Sequence, residues 1–369
     1  MSLTAARTAI LPWLAATLLP ARAAEEPAAE ATVWLPEVSL RTFTGYRDNV
    51  LLSTVAPIGS PLGGLAADAS WLGVGPDHSQ YTLLATGEYT HFFAADLDPE
   101  ALALLQAAFK RDAGRWGSFG LGADYVFQDS VFDVSTTEAN LTTVDATGHT
   151  LTARPAAGLD LHRELRLDAE VEVVRQLFSE PLDDDWEGGM RLKLKWTPAP
   201  RSTVTLGGRL RERVFDNRLA LDAEGFALDE GLVMHAREVE TEWRQGWDAG
   251  RRWRTQLRLS LGGNEDNGGG YFDFTRYGAR AIARYDAAPW SLRAECRAWY
   301  YDYPTQTISG TGSALRRIIE VAAVARAEYR LGDGWSAYVE YVREETDDNT
   351  PASDYTVNTG MLGLQYTFE

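Results

Sequence analysis

The sequence contains a single cysteine, Cys296, among its 369 residues. An internal disulfide and a metal site built from cysteines are therefore excluded. Basic residues are scarce as well, since 35 lysines and arginines stand against 53 acidic residues, giving a formal net charge of -18. This acidity argues against nucleic acid as a partner, because the phosphates would be repelled.

Long apolar runs are missing apart from one at the N-terminus. That run extends from Ala9 to Leu19 and is followed by the small-residue site ARA at 21–23. It predicts a cleavable secretory signal over residues 1–23 and a single mature domain over 24–369. Downstream, no stretch approaches the roughly 20 apolar residues that a membrane helix needs. A mature chain that enters a membrane must therefore do so as a closed β-barrel, which satisfies every backbone polar group in lipid.

The mature sequence is rich in alternation of apolar and polar residues, the period of a strand with one apolar face. In one such stretch, Leu257, Leu259 and Leu261 fall on one face, and Arg254 and Arg258 fall on the other. The pattern recurs along the whole chain, and helical patterning is nearly absent. It predicts an all-β fold.

Two kinds of connection take turns between these stretches. Tight ones, rich in turn residues, lie near Asp77, Ala113, Arg163, Ala199, Gly250, Ala287 and Asp333. Longer acidic or glycine-rich ones fall at roughly 47–66, 94–101, 129–147, 180–185, 215–232, 262–270, 303–315 and 345–354. Together they predict about sixteen strands in antiparallel up-and-down order, with both chain ends on the side of the short turns. A short helix over 101–110 is left open as an alternative.

Alternation alone is also compatible with a soluble sandwich or a lipocalin-like barrel, whose apolar face points inward. Three features favour a transmembrane barrel instead. Many strands run for about ten to fourteen residues, enough to cross a bilayer at a tilt. A lumen enclosed by about sixteen strands is too wide for side chains to fill. The polar face also carries dense charge, which suits a wet lumen. We therefore expect an outer-membrane barrel with short periplasmic turns and longer extracellular loops.

Tryptophans recur beside the tight turns, as in the stretch DAGRRW that ends at Trp253. Trp253, Trp290 and Trp335 each open a predicted strand on the apolar parity, and Trp196 closes one. Such amphipathic rings suit the headgroup level of a bilayer, so we expect an aromatic girdle at the periplasmic rim. Trp116 has the opposite parity and is not assigned to the girdle.

Two short elements resemble a known group of barrels. The stretch GYRDNVLLS, Gly45 to Ser53, lies where the first strand gives way to the first loop, and the chain closes with GLQYTF. Together they resemble the beta-barrel porin 2 group and related outer-membrane barrels linked to exopolysaccharide export. The resemblance implies a bacterial outer-membrane protein of porin type and transfers no catalytic residue. The chain departs from the usual C-terminal insertion signal, which ends on an aromatic residue, because Glu369 follows Phe368.

Rows of charged residues share the polar face of successive strands and would face the lumen if the apolar face meets lipid. The candidate pore-lining residues are Glu170, Glu172, Arg191, Lys193, Lys195, Arg209, Arg211, Arg213, Glu238, Glu240, Glu242, Arg254, Arg258, Arg280, Arg284, Arg293, Arg297 and Arg326. Acidic strands flank basic ones, so cross-strand ion pairing is expected. We interpret the set as the wall of an aqueous channel for passive diffusion of small polar or charged solutes. For any single residue, the alternative is that its charge only holds the wall together.

Ion preference stays open at this stage. The basic stretch from Arg191 to Arg213 would attract anions, whereas the acidic loops would favour cations at the mouth. The acidic pieces at 183–186, 264–269 and 344–349 could bind calcium, but none has EF-hand spacing, and solvated loop charge is the preferred interpretation. No cofactor or other metal site is expected. Lipid is the expected partner, and a homo-oligomer is left open by fold-level analogy.

No enzymatic activity is expected. An outer-membrane hydrolase would need a histidine beside a serine or an acid at the outer rim. His91, His149 and His235 fall near that rim, but His149 and His235 share the parity of the lipid-facing residues. We find no phosphate loop, no metal-spaced histidine pair and no nucleophile elbow. The alternative to a channel is a non-conducting barrel with a structural or partner-binding role, for example in an exopolysaccharide export system.

Overall fold

The structure, a computed structural model, describes residues 32–75, 77–94, 97–114, 117–133, 143–179, 182–308, 314–350 and 353–368. Residues 131–133 and 143–145 are described by their backbone alone. The predicted signal segment and Trp116 lie outside the described residues. Within the described part of the chain, no helix has the length and apolar character needed to cross a membrane.

The described residues form one closed antiparallel barrel of sixteen strands, in which each strand pairs with its neighbours in the chain and β1 pairs with β16. The strands are β1 Val33–Arg47, β2 Ser60–Val74, β3 Gln80–Phe92, β4 Glu100–Asp112, β5 Ser118–Asp133, β6 Thr143–His162, β7 Leu165–Phe178, β8 Asp185–Ala199, β9 Ser202–Leu221, β10 Ala227–Gly246, β11 Trp253–Asp266, β12 Phe274–Ala287, β13 Trp290–Thr307, β14 Leu315–Gly332, β15 Trp335–Asp348 and β16 Tyr355–Phe368. The predicted all-β class, up-and-down order and strand count are confirmed. The segment left open as a helix, 101–110, lies within β4.

The two faces of the sheet differ in composition. On β11, Leu257, Leu259 and Leu261 are 41%, 52% and 51% exposed, and the residues between them point to the other face. On that other face, Arg47 of β1 reaches Glu100 of β4, three strands away, with 2.8 Å between Nη1 and Oε1. Only the concave side of a closed sheet brings such side chains together, so the charged face is the interior. The apolar face is the outer surface, the reverse of a soluble barrel.

Aromatic side chains ring the outer surface at the short-turn end. Trp253, Trp290 and Trp335 are the first residues of β11, β13 and β15 and lie on the exposed apolar face, as predicted. Each packs on a tyrosine of the adjoining strand. The ring centroids lie 4.6 Å apart for Trp253 and Tyr285, and 4.9 Å apart for Trp290 and Tyr329. Pairing of this kind fixes the rings at one height on the barrel wall.

The turn DAGRRW joins β10 to β11 and is organised by one carboxylate. Asp248 accepts hydrogen bonds from the backbone N–H of Trp253, at 2.8 Å, and of Arg252, at 3.0 Å. These bonds lower the pKa of Asp248 below its ordinary value. The carboxylate therefore keeps its charge, and these bonds persist until the pH falls through that lowered value. Arg251 takes a φ of +52°, which tightens the turn.

The seven predicted tight turns are confirmed as short connections, and they follow β2, β4, β6, β8, β10, β12 and β14. One predicted loop is largely wrong. Most of the stretch 215–232 continues β9 and β10, and the connection between them is only 222–226.

The extended hairpin of β9 and β10 persists because its tip is packed rather than free. Ala220 and Leu232 are fully buried there, in a cluster with Phe215. The loop 267–273 also supports the hairpin, since the N–H of Gly269 donates to the carbonyl of Leu221 at 2.7 Å. These contacts stabilise strand structure over most of 215–232, where the glycine and acidic residues had predicted a loop.

The seam between β1 and β16 is held at its loop end by Asp48 and Asn49. Asp48 accepts hydrogen bonds from the backbone N–H and from the side-chain amide of Asn358, both at 2.7 Å. The Asn49 amide donates to the carbonyls of Ser53, at 2.8 Å, and Thr356, at 3.4 Å. These hydrogen bonds of Asp48 and Asn49 join β1 to β16 where the barrel closes, and we call them the latch.

Replacing Asp48 by alanine removes both acceptors of the latch. We expect Asp48→Ala to lower the free energy of unfolding by about 1.5–3 kcal/mol, the usual value for a hydrogen bond to a charged group. Urea unfolding of the barrel refolded in lipid vesicles measures the change. Glu37→Ala, at the other, exposed end of β1, is the control and should cost less than about 0.5 kcal/mol. Equal losses for the two variants would contradict the latch.

Candidate functional site: the charged interior

Every residue predicted to line the lumen lies on a described strand, at the parity opposite to the exposed apolar side chains. On β7 to β10 these are Glu170, Glu172, Arg191, Lys193, Lys195, Arg209, Arg211, Arg213, Glu238, Glu240 and Glu242. On β11 to β14 they are Arg254, Arg258, Arg280, Arg284, Arg293, Arg297 and Arg326. The barrel thus brings them to one face. That they line an open pore stays a prediction.

On β7 to β9, acidic and basic side chains interlock. Arg209 contacts Glu172 directly and lies 3.5 Å from Glu187. Arg211 also pairs with Glu187, at 3.3 Å, so this carboxylate serves two guanidinium groups. Arg213 is 2.6 Å from Asp185, whose side chain is fully buried. The basic run that the sequence indicated is therefore largely neutralised by acids on the strands beside it.

Glycines on intervening strands leave open space between charged side chains that lie two strands apart. Arg276 of β12 bonds to Glu238 of β10, although β11 lies between them. The residue of β11 in register with both is Gly262. Gly207 of β9 likewise lies in register between Lys193 of β8 and Glu240 of β10, although these two charges form no ion pair. A side chain at either glycine would stand between the opposite charges, so these glycines act as windows in the charged wall.

Further round the interior, two carboxylates on β10 and β13 each form ion pairs with two arginines. Glu242 of β10 lies 2.5 Å from both Arg258 and Arg244. Glu295 of β13 lies 2.6 Å from both Arg280 and Arg293. Both carboxylates are only 6% exposed, whereas the side chains of the four arginines are 19–51% exposed. Shared acids leave this part of the wall with more guanidinium groups than carboxylates.

The remaining predicted residues divide into paired and unpaired charges. Arg326 lies 3.2 Å from Glu328 and 3.4 Å from Glu340, and Arg297 lies 3.7 Å from Glu344. By contrast, Lys193, Lys195 and Arg284 form no ion pair with any residue that the structure describes.

The interior face of β2 to β4 carries few charges. Leu102 and Leu104 of β4 lie opposite Glu88 and Thr86 of β3, on the inward parity, and Leu84 lies opposite Gln106. The barrel therefore has a weakly charged wall over β2 to β4, where Asp68, Glu88 and Glu100 are among the inward charges, and a densely charged wall from β7 to β15. The field inside it is uneven around the circumference.

Sequence reasoning missed several inward charges. The ion pairs between Arg47 and Glu100 and between Arg154 and Asp124 were not expected, nor was the role of Arg276. Arg276 shares the parity of Arg280 and Arg284, so the alternation on β12 would have found it. The partner of Arg47 leaves no such signal, because the predicted strand order does not give the register that brings Glu100 of β4 to the level of Arg47.

The three histidines near the loop end all point outward. His149 is 2.8 Å from the hydroxyl of Tyr125, and His235 lies 3.4 Å from Glu212, where both side chains are more than half exposed. His91 is exposed beside the ring of Phe93. They occupy three different strands of the outer surface, β6, β10 and β3.

Carboxylates of the acidic loop pieces have partners within the protein. Asp184 accepts the N–H of Phe178 at 2.7 Å, and Asp266 accepts the N–H of Phe272 at 2.6 Å. Asp348 is buried against Arg316. Over the residues that the structure describes, no group of three or more histidine, cysteine or acidic side chains is arranged to hold a metal ion.

Comparison with known proteins finds solved structures of low sequence identity and no close relative. No protein-family model matches the chain, and no curated protein matches it. Acinetobacter baumannii OccAB4 is 11% identical, with 90% of this chain and 98% of that one covered, at a TM-score of 0.47. Pseudomonas aeruginosa OprD is 9% identical, with 91% and 95% covered, at 0.45. A bacterial polysaccharide outer membrane secretin is 10% identical, with 91% and 99% covered, at 0.44. Likeness at this level leaves the solute and the family of this chain unassigned.

The glycine window at position 262 can be tested by a double-mutant cycle between Glu238→Gln and Arg276→Gln. The coupling energy should fall in the usual range of about 0.5–3 kcal/mol with Gly262 in place, and near zero in a Gly262→Leu background. The reason is that a Cβ at this position would lie 3.5 Å from both Cβ and Cγ of Glu238, so the leucine side chain would occupy the space between the two charges.

Gly188→Leu is the matched control for this cycle, because a Cβ there meets nothing within 4 Å. Its background should leave the coupling unchanged. Urea unfolding in lipid vesicles gives each free energy. A coupling that survives Gly262→Leu intact would show that the window is not needed.

Proposed function

We propose that this chain is an outer-membrane channel through which small polar or charged solutes diffuse passively. The observation that carries the proposal is the closed sixteen-strand barrel with apolar side chains outside and charged side chains inside. An outer surface rich in exposed leucine, valine and aromatic residues suits lipid, and the aromatic ring at the short-turn end suits a membrane interface. Barrels of sixteen strands are wide enough to leave an aqueous passage.

The charged wall supports a passage for polar solutes rather than a dry core. Its arginines are partly exposed, with side-chain accessibilities of 28% for Arg191, 33% for Arg258 and 31% for Arg280. Charges of both signs in a wet interior attract and orient polar solutes. Membership of the beta-barrel porin 2 group, suggested by GYRDNV and GLQYTF, fits this function and is part of the proposal.

Conductance across a planar bilayer is the direct test of the channel. The refolded barrel should insert and give stable, stepwise ion currents of the size expected for porins. A correctly folded barrel that stays silent would overturn the channel. It would leave the non-conducting structural or partner-binding barrel as the function.

Ion selectivity tests which residues line the passage. Reversing the charges of Arg191, Lys193, Lys195 and Arg209 to glutamate together should shift the reversal potential in a salt gradient toward cation selectivity, because the wall becomes acidic. Reversal of Arg237 and Arg343, which lie on the outer surface, is the control and should have a much smaller effect. An unchanged reversal potential in the fourfold variant, with its fold verified by circular dichroism, would place these residues outside the conducting path.

A further inference from the structure

Four arginines lie side by side on the interior wall. In the register of the sheet, Arg254 of β11 faces Arg284 of β12, Arg284 faces Arg293 of β13, and Arg293 faces Arg326 of β14. Neighbouring strands are about 4.8 Å apart, so the row spans roughly 14 Å of wall. Glu340 of β15 follows next in register. We call Arg254, Arg284, Arg293 and Arg326 the arginine row.

Like charges placed directly opposite each other are destabilising, so the acids around the row matter. Arg254 has Asp286, Arg293 has Glu295, and Arg326 has Glu328 and Glu340. Asp286 approaches diagonally from the adjoining strand, Glu295 and Glu328 lie two residues along the same strands as their arginines, and Glu340 stands at the end of the row.

Arg284, near the centre of the row, has no acid of its own among the described residues. The inward neighbours on its own strand do not supply one, because Ile282 is apolar and Asp286 bonds to Arg254 and Ser291. Glu295 lies in register with Ile282 rather than with Arg284, and it bonds to Arg280 and Arg293.

The arginines on either side of Arg284 also have donors to spare. The Nε atoms of Arg254 and Arg293 are buried, and neither has a hydrogen-bond partner within the described structure. Arg284 has no ion pair and lies between two arginines that each have a buried donor without a partner, so this part of the row is short of negative charge in direct contact and of hydrogen-bond acceptors. Guanidinium groups meet both needs best with an oxyanion, whose oxygens accept two parallel N–H bonds.

We propose that Arg284, together with Arg254 and Arg293, binds the anionic group of a solute passing through the barrel. The group is an oxyanion such as a carboxylate, sulfate or phosphate. The site lies near the short-turn end of the lumen, since Arg254 is the second residue of β11 and Arg293 the fourth of β13. The side chain of Arg254 is 43% exposed and that of Arg293 19% exposed, so both are partly reachable from the interior. This assignment rests on the proposed channel and adds the chemical class of its solute.

Block of the ionic current by inorganic phosphate tests the site, with acetate in a parallel arm to separate phosphate from carboxylate. Phosphate added on the short-turn side of the wild-type barrel should reduce the chloride current in a saturable way. Arg284→Gln should raise the half-blocking concentration about tenfold, the factor expected for loss of one charged contact worth about 1.4 kcal/mol. Arg284→Lys, which keeps the charge without the planar fork, should fall between the two.

Arg154→Gln is the matched control, because it removes one positive charge from β6, away from the row. It should change the half-blocking concentration less than twofold. Equal effects of Arg284→Gln and Arg154→Gln would reduce the block to general lumen charge and overturn the site. Absence of any block in a conducting wild-type barrel would also overturn it.

Calorimetric titration of phosphate and acetate into the detergent-solubilised barrel separates failure of the site from failure of the channel. Saturable binding to the wild type that is lost in Arg284→Gln supports the site even if the barrel does not conduct. A barrel that conducts but binds neither anion keeps the channel and rejects the site.

Discussion

Backbone pairing that runs round all sixteen strands decides where every other group in this protein lies. Successive side chains of a strand point to opposite faces, so a slip of one residue in any pairing would turn charges toward the outer surface and leucines toward the interior. Between β10 and β11 and between β11 and β12, the register shows no such slip over the whole length of the pairing. Ion pairs, glycine windows and the arginine row all depend on that register.

Much of this arrangement could be predicted from local patterns. Alternation predicted the strands and their faces, and glycine, proline and aspartate near positions such as 250 and 333 predicted the tight turns. The loop predicted over 215–232 was largely wrong, because the burial of Ala220 and Leu232 depends on contacts that only the folded barrel supplies. The tyrosine partners of Trp253 and Trp290 follow from strand order and register rather than from composition.

For the candidate site, the sequence predicted which side chains lie on the polar face but not which of them form ion pairs with each other. Parity alone placed Arg191, Glu238 and Arg284 together on the polar face. Which arginine has an acid depends on positions two strands away and on whether a residue such as Gly262 leaves room between them. Arg284 and Arg280 have the same local pattern. Arg280 lies 2.6 Å from the carboxylate of Glu295, whereas Arg284 has no ion pair among the described residues. That difference is set by register, which a single sequence does not carry.

A second electrostatic feature follows from the same geometry. Most inward charges of β7 to β9 are neutralised within a few ångströms, so their fields fade over a short distance. The wall over β2 to β4 carries few charges and adds less field than the wall from β7 to β15. Within the described parts of β7 to β13, the inward cations Lys193, Lys195 and Arg284 form no ion pair, so their fields extend further into the interior than those of the paired charges.

The latch at Asp48 also bears on how the chain reaches its native state. Asp48 and Asn358 are 310 residues apart in sequence, yet they bond to each other across the seam. Such a contact can form only after the last strand has been made, and pairing over so long a separation is slow. Until then β1 and β16 are open sheet edges that could pair with another chain. Closure of the barrel removes these two edges, so they stay exposed for as long as the two ends of the chain are apart.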